Sequence, residues 1–292
     1  MTETKIEKRR TNSTCPGCRA TDMVQFGPML LKCNACGLAY YPEAPDAEAL
    51  AELYGEQYFH GEEYHDYVAQ RPALDANFRR RLQSVQAFLG PSAGVVELGC
   101  AYGFFLAMVA DRVAWHVGFD VSRTAVEYAR RELGVNATTD SFLDWEPSQP
   151  VSMVVMWDFV QHVGNPEAFL AKAASILDPG GHIVLTTGDI AALIPRIRGL
   201  RWRMIHPPTH VYYFTIASLS SVLERHGMRV VRVRHPAVWR NARAMLEQVV
   251  HSRPDGPVAK IGRSVAQSRV LDRIDLPLNL WDVMEVVAQK VR

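Results

Sequence analysis

The feature that most limits the fold is an alternation that begins at Val95. Short apolar runs, each about a strand long, are followed by segments whose apolar residues recur at helical spacing. The strand candidates are Val95–Leu98, Trp115–Phe119, Ala137–Thr139, Val151–Trp157 and His182–Thr187, with later ones near Arg229–Val233 and Val283–Gln289. Helices are expected at Phe104–Arg112, at Arg123–Leu133 behind Ser122 as N-cap, and at Pro166–Leu177 behind Asn165. Another, Ile216–His226, has Thr215 as its cap and Gly227 as its stop. Repeated βα units bury their apolar faces as a parallel sheet covered by helices on both sides. The expected class is therefore α/β, a doubly wound, mostly parallel seven-stranded sheet. "VSMVVMW", apolar on both faces, suits a central strand.

In such sheets ligands bind outside the carboxyl ends of the strands, where glycine lets backbone approach them. "VVELGCAYGFFL" ends the first strand with a carboxylate, Glu97, and a turn bearing Gly99 and Gly103. Asp120 closes the second strand, 21 residues after Gly99, where a carboxylate can take both hydroxyls of a ribose. The ligand should thus contain a nucleoside. It is not read as a dinucleotide, because Phe104 stands where a third glycine would be. Glu97 would also repel a pyrophosphate, whereas it suits a cationic ligand.

Four of the five cysteines precede this core: Cys15 and Cys18 in "CPGC", Cys33 and Cys36 in "CNACG". Two C-x2-C pairs in a reducing compartment read as a tetrahedral Zn2+ site. Four thiolates leave no open position, so the metal would be structural. "MVQFGPMLLK" between them reads as two strands around Gly27-Pro28, which together make a small N-terminal zinc ribbon.

With these residues in place the chain resembles the class I S-adenosylmethionine-dependent methyltransferases. Their first motif, E/D-x-G-x-G-x-G, is matched by Glu97, Gly99, Ala101 and Gly103, with Ala101 in place of the middle glycine. That exchange costs little if Ala101 keeps a negative φ. The likeness continues through Asp120, "TTDSF", "VVMWDFVQHV" and "LDPGGHIVLTT". It implies that S-adenosyl-L-methionine is the methyl donor and that Glu97 faces its amino-acid end, directly or through water. Tyr102, Val121, Asp140, Ser141, Trp157 and Asp158 are the further donor-site residues that it implies. Tyr58 and Phe59 join them as aromatic candidates near the sulfonium. The order ribbon, "Y…YF", core, "W…PPxHxYYF" is similar to that of bacterial ribbon-bearing methyltransferases of small-molecule and natural-product pathways.

The acceptor is expected beside two segments that follow strand ends. One is "WDFVQHV", with Asp158 and His162. The other is an insertion over about 189–214, read as a basic lid helix, a stiff turn at Pro207-Pro208, and a cluster of His206, His210, Tyr212 and Tyr213. His210, His206 and His162 are the candidate general bases. Arg196, Arg198, Arg201 and Arg203 have no acid among them, so they form either a solvated face or a site for an anionic acceptor. A second insertion, about 236–281, reads as helical. The division expected is ribbon 1–42, helical connector 43–91 and methyltransferase domain 92–292.

Net charge of +1 over 292 residues argues against RNA as substrate, although a ribbon can grip nucleic acid. A non-catalytic protein that only binds the donor is the other alternative. No apolar run reaches the ~18 residues of a membrane helix, and the polar start reads as no secretory signal, so a cytoplasmic protein is expected. The oligomeric state is not legible.

Overall fold

The computed structural model describes residues 10–11, 13–44, 71–241 and 275–291. Four short strands open it: β1 (Arg10–Thr11), β2 (Met23–Phe26), β3 (Leu30–Cys33) and β4 (Ala39–Tyr40), paired antiparallel in that order. After α1 (Arg71–Val85) come β5 (Gly94–Leu98), α2 (Phe104–Val109), β6 (Trp115–Phe119), α3 (Arg123–Leu133) and β7 (Ala137–Thr138). The second half runs β8 (Val151–Trp157), α4 (Pro166–Ile176), β9 (Leu177–Gly188), α5 (Leu193–Arg198), β10 (Tyr212–Tyr213) and α6 (Ile216–Arg225). It ends with β11 (Met228–Arg234), β12 (Val238–Asn241), β13 (Asp275–Leu278) and β14 (Val283–Lys290).

Seven strands form the main sheet in the order β11-β14-β9-β8-β5-β6-β7, with only β14 antiparallel to its neighbours. The chain order reverses between β5 and β8. That crevice is the switch point where such a sheet accepts a ligand. Alternation along the strands splits the core. Val95, Met153, Val155 and Trp157 pack under α1, α2 and α3, while Val96, Leu98, Val154 and Met156 pack under α4 and α6. Glu97, two residues after Val95, therefore faces the α1 side.

Helix starts follow the sequence closely. Ser122 Oγ accepts from Ala125 N, Asn165 Oδ1 accepts from Ala168 N, and Thr215 forms a reciprocal capping box with Ser218. Two expectations change. β9 begins at Leu177, and its register jumps from Val151↔Leu177 to Met153↔His182, so "DPGG" bulges within a strand. The described ends of the 236–281 insertion pair as strands β12 and β13, not as helix. Asn77 of α1 explains this, because its side chain bonds both the N–H and the C=O of Trp239, at 2.8 and 2.9 Å. Residues 242–274 lie outside the described part.

The ribbon is sewn to the core. β4 pairs with β10, the strand that ends the first insertion, and Tyr40 stacks on Tyr212 at 5.9 Å. The Thr215 hydroxyl donates to the Cys36 carbonyl at 2.6 Å. Arg19 of the ribbon and Arg225 of α6 both pair with Glu167 at the start of α4. Leu30 and Ala39 share a small core with Ile190, Trp202, Met204 and Tyr213. The insertion expected to be a lid thus packs much of its apolar content against the ribbon.

Gly103 tests how tightly the first turn is packed. Its φ is +74°, and a Cβ there would lie 2.9 Å from both Ala129 Cβ and Val135 Cγ2. Gly134 has a similar φ of +66°, with nothing within 4 Å of such a Cβ. Gly103→Ala should therefore cost about 2–4 kcal/mol in urea unfolding, against about 1 kcal/mol for Gly134→Ala. Equal losses would contradict this packing.

Candidate active site

Because β5, β6, β7, β8 and β9 are parallel, the residues after them share one edge of the sheet. Glu97, the turn from Gly99 to Gly103, Asp120, Val121, Asp140, Ser141, Trp157 and Asp158 all fall along it. Tyr58 and Phe59 lie outside the described residues.

Glu97 is 2% exposed, and its Oε2 has no hydrogen-bond partner. Burial pushes its pKa well above the ordinary carboxyl value; nearby Arg81 opposes this and Asp120 adds to it. An unpaired buried carboxyl oxygen is costly unless a cationic donor meets it.

Asp120 organises the turn. Its Oδ2 accepts from Ala101 N at 2.7 Å and its Oδ1 from Ser122 N at 2.9 Å. Burial raises its pKa, while these two backbone hydrogen bonds lower it in part. Ala101 has φ +44°, so the negative φ under which alanine would replace glycine freely is not met. The left-handed conformation costs roughly 1 kcal/mol, offset by the bond to Asp120. The turn glycines also meet a packing demand within the protein. A Cβ at Gly99 would meet the Phe159 ring at 2.9 Å, so both turn glycines serve close packing within the protein.

The other donor-site candidates divide. Val121, 54% exposed, stands beside Asp120. Asp140 is exposed at the end of β7 and accepts from the Thr138 hydroxyl at 2.6 Å; Ser141 beside it is exposed too. The Tyr102 ring is instead buried edge-on to Tyr128, with centroids 5.0 Å apart. Trp157 is buried, its Nε1 unpaired, its ring edge-on to Phe105.

Arg81 is the residue that sequence reading missed. Its guanidinium lies 5.0 Å from the centre of the Trp157 ring and pairs with Asp158 Oδ2. Asp158 Oδ1 accepts from the Thr186 hydroxyl at 2.9 Å. Burial would raise the Asp158 pKa, but Arg81 and Thr186 bring it below the ordinary value. The available signal was a polar stripe, Asn77, Arg81 and Ser84, running beside the apolar stripe of α1.

The three candidate bases form one cluster: the His210 ring lies 3.9 Å from that of His206, tilted to it, and 4.5 Å from that of His162, edge-on, centre to centre. His162 Nδ1 bonds the Thr209 carbonyl and His210 Nδ1 the Met204 carbonyl, both at 2.9 Å. Burial holds His162 down to about 4 and His210 to about 2. Such imidazoles stay neutral and are weak proton acceptors. Of the arginines, Arg203 is committed to Asp282 by two hydrogen bonds, at 3.1 and 2.9 Å, while Arg196, Arg198 and Arg201 are exposed.

The four ribbon cysteines carry no disulfide, and their sulfurs lie within 4.8 Å of one another. Cys15–Cys36 and Cys18–Cys33 are each 3.6 Å apart. Four sulfurs about 2.3 Å from a tetrahedral Zn2+ would be about 3.8 Å apart, so the set fits that ion. Among the described residues it is the one such group, and no helix there is long and apolar enough to cross a membrane.

Comparison with known proteins agrees with this geometry. A methyltransferase domain family model matches residues 67–233. A ubiquinone biosynthesis O-methyltransferase of Xanthomonas axonopodis is 29% identical over 177 residues, covering 55% of this chain and 74% of that protein. The one from Cupriavidus pinatubonensis is 25% identical over 154 residues, covering 48% of this chain and 61% of its own length. Magnesium protoporphyrin IX methyltransferase of Synechocystis, solved with S-adenosylhomocysteine, has the same fold: TM-score 0.53 at 14% identity, over 84% of this chain and all of that one. The family match spans more than half of the 292 residues and includes the glycine turn, Asp120 and Asp158. The chain belongs to the methyltransferase domain family, among the class I S-adenosylmethionine-dependent methyltransferases.

Proposed function

We propose that the protein transfers a methyl group from S-adenosyl-L-methionine to an oxygen of a small molecule in a biosynthetic pathway. The observation that carries the donor half is the buried, unpaired Oε2 of Glu97 above the glycine turn. Bound there, the donor supplies a methyl group on positively charged sulfur. Glu97 takes its ammonium, Asp120 its ribose hydroxyls, and Val121, Asp140 and Ser141 border its base. Trp157 and Asp158 flank its sulfonium end. Oxygen is favoured as the nucleophile because the relatives named above are O-methyltransferases. A reducing, cytoplasmic setting suits the five free cysteines.

The ribbon's Zn2+ would be structural in this reading, and its effect reaches the acceptor side through β4 and β10. We keep the 1–42, 43–91 and 92–292 division as part of this proposal, with one adjustment: α1, at the end of the connector, supplies Arg81 and is assigned to work with the methyltransferase domain.

Two outcomes test these assignments. Glu97 has a raised pKa in the free protein, and an ammonium beside it would lower that pKa. Donor binding should therefore release a proton, and affinity should rise with pH from the ordinary carboxyl range up through the raised value. Calorimetry in two buffers of different ionisation enthalpy should detect the release. Glu97→Gln should abolish it and weaken binding about 10–100-fold. Proton uptake, or none, would refute the role of Glu97. For the metal, mass spectrometry of reduced native protein should find one zinc per chain. Cys33→Ser should lose it and expose the β4–β10 pairing to hydrogen exchange; unchanged protection would refute the coupling.

A further inference from the structure

Outside the histidine cluster, one more imidazole stands at the ligand edge of the sheet. His235 follows β11 directly, and its Nε2 lies 3.0 Å from Asp189 Oδ2. Asp189 follows β9 and is 4% exposed; its other oxygen accepts from Ala191 N at 3.0 Å. The Asp189 N–H donates to the Asp282 carbonyl, while the Asp282 carboxylate takes Trp202 and Arg203. Asp189 is thus fixed on every side, with one oxygen turned to His235.

Position gives this pair its meaning. β9 neighbours β8, whose end carries Asp158, and Asp158 N bonds to Thr186 of β9. Asp189 lies three residues further on, roughly 10 Å along the strand. A small acceptor placed between the donor's sulfonium and Asp189 would meet His235 at its far end. The roots of the second insertion flank His235 and Trp281 in the chain: Val238 begins β12 three residues after His235, and Leu278 ends β13 three residues before Trp281. Trp281 completes it. Its ring centre is 6.0 Å from that of His235, it is 64% exposed, and its φ is +53°. A bulky residue held in the left-handed region is strained, and such residues cluster at active sites and ligand clamps. Asn279 secures the arrangement, accepting from Trp281 N at 2.8 Å and donating to the His235 carbonyl at 3.0 Å.

We propose that His235 is the general base of the methyl transfer, that Asp189 positions it, and that Trp281 forms the wall against which a flat phenolic acceptor stacks. This rests on the methyltransferase reading above. The carboxylate holds Nε2 as the N–H tautomer, which leaves the Nδ1 lone pair for the substrate. As the phenol oxygen bonds to the methyl carbon, its proton passes to Nδ1. The carbon–sulfur bond breaks, and its electron pair stays on sulfur, giving neutral S-adenosylhomocysteine. The imidazolium, stabilised by Asp189, then loses its proton to solvent.

Two probes of unequal acidity test this. Catechol keeps its proton near neutral pH, whereas 4-nitrocatechol is largely ionised. The wild-type protein should methylate both with S-adenosylmethionine. His235→Ala should lower kcat for catechol about 10²–10³-fold, yet for 4-nitrocatechol by less than about tenfold. Added imidazole should restore part of the catechol rate in His235→Ala, but less of it in the His235→Ala/Asp189→Asn double variant. Trp281→Ala should raise KM for both probes with kcat largely kept. S-adenosylhomocysteine affinity and melting temperature establish that each variant is folded, and His235→Gln replaces His235→Ala if the latter is not. Equal losses on the two probes, or no loss, would overturn the base assignment. Wild-type protein that binds S-adenosylhomocysteine but methylates neither probe would overturn the phenolic acceptor. Failure to bind S-adenosylhomocysteine would instead refute the donor site on which the proposal stands.

Discussion

Everything at the ligand edge depends on one unfavourable burial, the Glu97 carboxyl inside a strand that is otherwise apolar on both faces. β5 is buried along its whole length, so this group is cut off from bulk solvent. Nearby charges are arranged around that fact. Arg81 on α1 supplies positive charge, while Asp120, one strand over, adds negative charge and spends its own oxygens on the turn's amides. The turn is then fixed from outside by Phe159, Ala129 and Val135, which leave no room for side chains at Gly99 and Gly103. A fold selected for stability alone would place valine at Glu97. A carboxyl kept there at a cost breaks the local pattern in the way functional sites do, which is why we propose it as the place of the donor's ammonium.

The acceptor side is built by a different device. The insertion after β9 would leave much of its apolar content uncovered if it had to fold alone. It gains a core by adding β10 to the ribbon sheet, by sharing Trp202, Met204 and Tyr213 with Leu30 and Ala39, and by sending Val211, Tyr212 and Phe214 into the main core. A four-cysteine unit is small and needs its own cross-link. Its order therefore passes through the Cys36 carbonyl to Thr215, and from there to the start of α6. Two of the ribbon's described basic groups are engaged within the chain, Arg19 paired to Glu167 and Lys32 over the Phe26 ring. This use of the ribbon is structural support.

Much of this was legible in the sequence, for local reasons. Strand alternation, the caps at Ser122, Asn165 and Thr215, and the spacing of Glu97, Gly99, Gly103 and Asp120 are short-range patterns. The misses share a long-range cause. Nothing near Ala101 in the chain says that its N–H meets Asp120, so its left-handed φ could not be read. Strand β12 forms because Asn77, far away on α1, binds its backbone. The histidines were grouped from the sequence as candidate bases; that His210 is buried and lies beside both His162 and His206 is a tertiary property. Arg81 could not be placed from the sequence because its partners, Trp157 and Asp158, lie far away in the chain.

The central claim is that Glu97 is held in the core for the donor's ammonium. A crystal structure of the full chain with S-adenosylhomocysteine tests it most directly. The account predicts the ligand's amino group within hydrogen-bond distance of Glu97, directly or through one water, with its ribose hydroxyls on Asp120. A ligand bound elsewhere, or one lying over the glycine turn while Glu97 stays unpaired, would contradict it.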